Sequence, residues 1–196
     1  MYEAQKAWIA LEASGTSYQM KEISLYGHNG KPGWFLSLNS AGTVPVISYS
    51  DGLILPDSEL ILDHFAYGEI NSGRTENALS LRYRDDIINK RVVKWRNDVL
   101  QKVIPIGKAA VLEGETQKLF ELLKCLDGSV TGCYLTCDNP TVADCAAFPF
   151  LWRIDKEFGP LTQETHSCGN IRKWLDLCID TPVFQKTVHQ SWWWWW

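Results

Sequence analysis

Thr43-Val44-Pro45-Val46, followed by Asp57-Ser58 at the head of an apolar-periodic run, places the strongest constraint on how this chain folds. A Val44–Pro45 bond held cis makes a tight corner. Because Pro45 has no N–H, the chain beside it stays unpaired, and Val44 can offer its own N–H and C=O to an extended peptide. Between the two pieces, residues 46–50, the pair Asp51-Gly52 and residues 53–55 read as a β-hairpin with a tight turn. Residues 58–65 read as a helix with an N-cap signal at its head. The first N–H groups of that helix, helped by the Ser58 hydroxyl, are donors suited to a carboxylate. A corner and a helix mouth facing one pocket would hold a short peptide-like ligand with a carboxylate at one end.

The rest of the chain supplies the frame. Residues 3–14 read as a first helix, with Ala7, Trp8 and Leu11 at helical spacing, and residues 18–25 as a strand. A loop over 26–32 leads to a short helical turn over 34–38. The Gly-, Asn- and Ser-rich stretch 69–75 reads as a linker. Beyond it the period is wholly helical. Ile88, Val92, Trp95, Val99 and Val103 mark one long helix, Leu119, Leu122, Leu123 and Leu126 another, and further helices are expected over 141–158 and 168–180. Strands with helices first and helices alone afterwards predict an α+β chain, with a binding cleft between an α/β domain and an all-α domain. Thr141 and Asp144 stand as a capping box ahead of an apolar run, a folding role rather than a chemical one.

Composition narrows the function classes. The chain has 196 residues, 45% hydrophobic, with a formal net charge of -4. That balance offers no electrostatic footprint for nucleic acid. No apolar run is long enough for a membrane span, and the N-terminus lacks the basic and apolar regions of a secretory signal, so a cytoplasmic protein is expected. Six cysteines, at 125, 133, 137, 145, 168 and 178, lack zinc spacing and read as reduced thiols, mostly buried, with Cys145 and Cys178 inside helical apolar patterns and Cys133 and Cys137 in a loop. The four histidines share no ligand spacing, so no metal is expected, and His64 reads as an exposed or half-buried structural residue. The mixed charges of 82–98 read as the solvated face of the long helix, and Trp95 and Trp152 as core.

Taken together, these segments resemble the soluble glutathione transferase family, within it the omega, lambda and dehydroascorbate-reductase-like classes. The resemblance is carried by residues 4–12, by Lys31-Pro32-Gly33-Trp34-Phe35 with Asn39 and Gly42 leading into Val44-Pro45, by Asp57-Ser58, by residues 139–144, and by Pro149-Phe150-Leu151-Trp152-Arg153. It implies a thioredoxin-like domain over 1–68 with its first strand missing, the linker 69–75, an all-α glutathione transferase C-terminal domain over 76–190, and a poly-Trp tail over 191–196. It implies glutathione as cosubstrate, held by Lys31, Val44, Pro45, Asp57 and Ser58, with Asp57 in place of the more usual Glu. The implied partners are a small electrophile, a disulfide or dehydroascorbate, and a second copy of the chain in a homodimer. Thiol transfer, dehydroascorbate reduction or conjugation is the implied chemistry. A transferase fold retained for docking or dimerisation is the alternative.

One position departs from the pattern. The family's catalytic Cys or Ser, five residues before the basic residue that here is Lys6, falls on Met1, whose thioether cannot ionise at the helix N-terminus that would favour a thiolate. Tyr2 stands where the family has Pro and is not a nucleophile candidate, so no catalytic residue is assigned. The strand that precedes this helix in the family is also missing, so residues upstream of Met1 are expected.

Overall fold

The computed structural model describes residues 2–24, 30–67, 81, 83 and 85–188. Helix α1 (Tyr2–Ser14) comes first, then a short α2 (Gly33–Leu38), strands β1 (Ile47–Ser48) and β2 (Ile54–Leu55), and α3 (Ser58–Tyr67). The remainder is helical: α4 (Asp86–Asp98), a π-helical turn over Val99–Val103, α5 (Ile104–Glu113), α6 (Thr116–Asp127), α7 (Val142–Phe158), α8 (Gln163–His166), α9 (Gly169–Asp180) and α10 (Pro182–Gln185). The linker 69–75, Met1 and the poly-Trp tail 191–196 lie outside the described residues.

The hairpin forms with β1 antiparallel to β2, Ile47 opposite Leu55 and Ser48 opposite Ile54. The Asp51 carboxylate accepts from Leu53 N–H at 3.0 Å, and Gly52 N–H donates to the Tyr49 carbonyl at 3.1 Å, closing the turn. The strand expected over 18–25 is not formed in its described part, 18–24. A strand exists only by pairing, and among the described residues the sheet contains β1 and β2 alone. Side chains anchor this segment instead. Tyr18 Oη accepts from Trp8 Nε1 at 2.6 Å and donates to Glu12 of α1, while Lys21 lies 5.0 Å over the Trp34 ring.

Helix α7 is the spine, buried from Val142 to Asp155. Ala7, Ile9, Ala10 and Ala13 of α1 join the same core as Phe148, Phe150 and Leu151, and small residues on α1 let the helices approach. Gly107 of α5 has the same role: a Cβ there would stand 2.5 Å from Phe150 Cε1. The long helix read from Ile88 to Val103 is present, but its turn over Val99–Val103 is widened, with Ile104 N–H reaching back to the Val99 carbonyl. Pro105 supplies a reason, since it has no N–H to give and its ring would collide with a carbonyl in an α-register.

At the head of α7, Thr141 and Asp144 form a capping box. Asp144 Oδ2 accepts from Thr141 N–H at 2.7 Å and its hydroxyl at 2.9 Å, and Oδ1 accepts from Leu135 N–H and Trp174 Nε1, both at 2.9 Å. One carboxylate thus ties the loop before α7, α7 itself and α9. Burial pushes Asp144 above the usual aspartate range, against the pull of these donors. Cys145, Cys168 and Cys178 are buried, Cys137 is half-buried, and Cys125 and Cys133 are exposed. Trp95 and Trp152 belong to the core, and half-buried His64 packs between the rings of Tyr49 and Phe65.

Candidate functional site

The loop before the corner is organised by Asn39. Its Nδ2 donates to the Thr43 carbonyl at 2.9 Å and to Thr43 Oγ1 at 3.0 Å, while its Oδ1 accepts from Ala41 N–H at 3.2 Å. Gly42 is buried at φ +64°, and a Cβ there would stand 2.7 Å from both Cδ and Nζ of Lys31. The left-handed backbone favours glycine here, and a Cβ would also push aside the lysine folded across it. The Val44–Pro45 bond is cis. Among the described residues, neither the N–H nor the C=O of Val44 takes part in a hydrogen bond. Lys31 forms no ion pair there either, so an open peptide edge and a free ammonium share one loop cluster.

The mouth of α3 is built differently from the sequence expectation. Asp57 is its cap: Oδ1 accepts from Glu59 N–H at 2.8 Å and Leu60 N–H at 3.3 Å, and its carbonyl accepts from Ile61 N–H at 3.0 Å. Of the N–H groups the sequence left for a ligand, those of Glu59 and Leu60 are in this state satisfied by the chain itself. Ser58, buried, donates its hydroxyl to Glu3 Oε2 of α1 at 2.5 Å.

Glu3 opens a chain of charges. Lys6, 1% exposed, stands 2.7 Å from Glu3 Oε2 and 2.8 Å from Glu59 Oε1. Arg96 of α4 then contacts Glu59 Oε2 at 2.7 Å and Asp63 Oδ1 at 2.6 Å. Burial works against the ammonium of Lys6, yet Glu3 and Glu59 raise it above the usual lysine range. Burial likewise works against the Glu59 carboxylate, but Lys6 and Arg96 hold it below the usual range. Arg96 is only 12% exposed and Asp98 is buried between Lys94 and Lys102. The reading of 82–98 as a uniformly solvated face is corrected at these two positions, because α4 packs its Arg96 against α3. Arg82 and Arg84 lie outside the described residues.

Sequence reasoning missed Glu3 and Glu59 and used Lys6 only as a register mark. The signals were there: Glu3 and Lys6 are spaced i, i+3 on a helix, and a second acid directly follows Ser58. Among the described residues, no group of histidines, cysteines and acids is arranged to hold a metal. Two surface hollows, about 310 Å³ along α4 by Asp86, Asn89, Lys90 and Val93 and about 370 Å³ between α6 and α8, hold none of the predicted site residues. No described helix is long and apolar enough to cross a membrane.

A small hairpin domain with a cis-proline edge, followed by a helical domain whose central helix carries a capping box, defines a two-part fold class, and comparison with known proteins specifies it. The family described as glutathione S-transferase, N-terminal domain, matches residues 3–66, and that described as glutathione S-transferase, C-terminal domain, matches residues 109–177. The chain belongs to the glutathione S-transferase family. Over 166 residues it is 25% identical to glutathione S-transferase omega-1 of Mus musculus, covering 78% of this chain and 62% of that protein. Over 58 residues it is 38% identical to the probable glutathione S-transferase DHAR1, cytosolic, of Oryza sativa subsp. japonica, covering 30% of this chain and 26% of that protein. The matches thus span about a quarter and about three fifths of these relatives. The crystal structure of glutathione transferase Omega 3C from Trametes versicolor superposes with a TM-score of 0.78 at 23% identity, covering 97% of this chain and 86% of that one. The fold is therefore the glutathione transferase fold, with a two-stranded thioredoxin-like sheet domain and a helical domain.

Proposed function

We propose that the chain binds glutathione at the Val44–Pro45 corner, in a cytoplasmic protein that uses the bound thiol for disulfide transfer, dehydroascorbate reduction or conjugation. The observation that carries this reading is the unpaired Val44 N–H and C=O beside a cis proline, with the Lys31 ammonium folded over the same loop. The cysteinyl unit of glutathione would pair with Val44 as a short strand. Lys31 would meet a ligand carboxylate, and Ser58 the γ-glutamyl carboxylate. Asp57 acts through the α3 cap, holding Ser58 in place. These residues bind and orient the tripeptide; the family's nucleophile position falls on Met1, whose thioether side chain does not ionise.

Titration calorimetry with reduced glutathione on the full chain tests the reading. Saturable binding is expected, and Lys31→Met and Ser58→Ala should each weaken it about tenfold, the scale of one charge-assisted hydrogen bond. Absence of heat at millimolar glutathione would overturn it.

A second reading, a docking or dimerisation module, has its own supporting observation. Val93 of α4 and Leu100 of the following turn, seven residues apart and so on one side of the helix, are exposed at 48% and 39%, and Ile87 in the first turn of α4 at 61%. Turnover of a glutathione-linked disulfide that disappears in Ser58→Ala would eliminate this alternative, whereas a stable homodimer without turnover would favour it.

A further inference from the structure

We infer that Glu3 is an internal stand-in for the γ-glutamyl carboxylate, so that glutathione reaches Ser58 only by displacing the Glu3 side chain. The inference rests on the glutathione reading above and adds a residue that sets both affinity and ligand selection.

A single oxygen, Glu3 Oε2, accepts from the Ser58 hydroxyl at 2.5 Å and lies 2.7 Å from Lys6 Nζ. A hydroxyl and an ammonium converging on one carboxylate oxygen form an anion site, and the structure shows it filled from within. Both donors are buried, whereas the Glu3 side chain is 31% exposed, so the occupant sits at the solvent edge of its own site. Glu3 lies in the first turn of α1 and reaches Ser58 through rotatable side-chain bonds alone; a change of rotamer vacates the site without moving the helix. Lys6 keeps its second partner, Glu59, at 2.8 Å, so its charge is not stranded when Glu3 leaves. Asp57, holding the Glu59 and Leu60 N–H groups, keeps the helix mouth shaped throughout.

A tethered competitor acts at high effective concentration and lowers the apparent affinity of any ligand that needs the same donors. It does not affect a ligand that leaves them alone. Glutathione carries a γ-glutamyl carboxylate and must compete; cysteinylglycine, which has the same thiol and glycine carboxylate but no γ-glutamyl unit, need not. Glu3 would thus lower the affinity for thiols that carry a γ-glutamyl carboxylate and leave that for thiols without one unchanged, which narrows the margin between the two.

The test is calorimetric titration of glutathione and of cysteinylglycine into the full chain, its Glu3→Gln variant and its Glu3→Asp variant, each checked for a cooperative thermal melt. Glu3→Gln keeps the shape and loses the charge that Lys6 holds; Glu3→Asp keeps the charge and shortens the reach. Glutathione should bind about tenfold more tightly to Glu3→Gln and more tightly, by less, to Glu3→Asp, with cysteinylglycine unchanged. The aspartate variant carries the test should the glutamine variant fail to fold. Glutathione binding that is equal or weaker in the variants, while the parent chain binds it, would overturn the inference alone. Glutathione binding to none of the three would overturn the glutathione reading and the inference with it. A parallel gain for cysteinylglycine would also refute competition for Ser58.

Discussion

Asp144 and Arg153 sit in the same buried helix and make opposite contributions to it. The Asp144 carboxylate accepts from Leu135, Thr141 and Trp174. Deleting it strands several buried donors at about 1–3 kcal/mol each. Asp144→Ala should therefore lower stability by at least about 3 kcal/mol, read from the urea midpoint, whereas Thr141→Ala should cost about 1 kcal/mol. Arg153 is buried too, yet only its Nη1 finds an acceptor, the Pro149 carbonyl at 2.5 Å, while Nε and Nη2 have none among the described residues. Burial pushes its guanidinium down to about 10. A cation kept under those terms destabilises the fold that holds it, so Arg153→Met should leave stability unchanged or raise it by about 1 kcal/mol. A clear loss in the same urea experiment would show that the guanidinium has a partner of consequence.

Helices α1, α3 and α4 are joined by charge as well as by apolar contact, and this sets a pH window. The folded-state value of Glu59 is depressed, so its contribution is present above the ordinary glutamate value, about 4.3, and is lost as pH falls through the depressed value. That of Lys6 is raised, so its contribution is present below about 10.4 and is lost as pH rises through the raised value. The stability difference between the parent chain and Glu59→Gln should accordingly be large near neutrality and shrink on acidification, in denaturant melts at several pH values. A difference independent of pH would mean that Glu59 contributes by packing alone. This network was the least legible part of the sequence. Periodicity exposes the apolar stripe Ile88, Val92, Trp95, Val99 and Val103 because every member faces one core. It is silent on Arg96, whose partners Glu59 and Asp63 lie more than thirty residues away. The capping box and hairpin turn were legible because their determinants are local. The strand over 18–25 was not, because pattern describes a side chain's preference while a ladder needs a neighbour.

At the scale of the whole molecule, the two ends of the described chain close on each other. Gln5 of α1 donates to Thr187 Oγ1 at 3.3 Å, Lys186 lies 2.8 Å from Glu12 and over the Tyr18 ring, and Phe184 is fully buried against Phe148. A chain ended after Asp180 would lose Phe184 and the cover over α1 together. Its stability should fall by about 3–5 kcal/mol, the cost of removing a buried aromatic side chain, with hydrogen exchange accelerating in α1. Unchanged exchange in α1 would show that α10 is an ornament to the fold.

The widened turn over Val99–Val103 also fixes rotational phase. A residue accommodated there without an extra α-turn holds back the following helix by about 100°. In the phase observed, Gly107 faces Phe150; a rotation of about 100° is the step between adjacent helix residues, so it would bring a bulkier neighbour, Ile106 or Lys108, to that angle. The glycine and the proline two positions before it are thus one device: the first makes room, and the second decides where the room is needed.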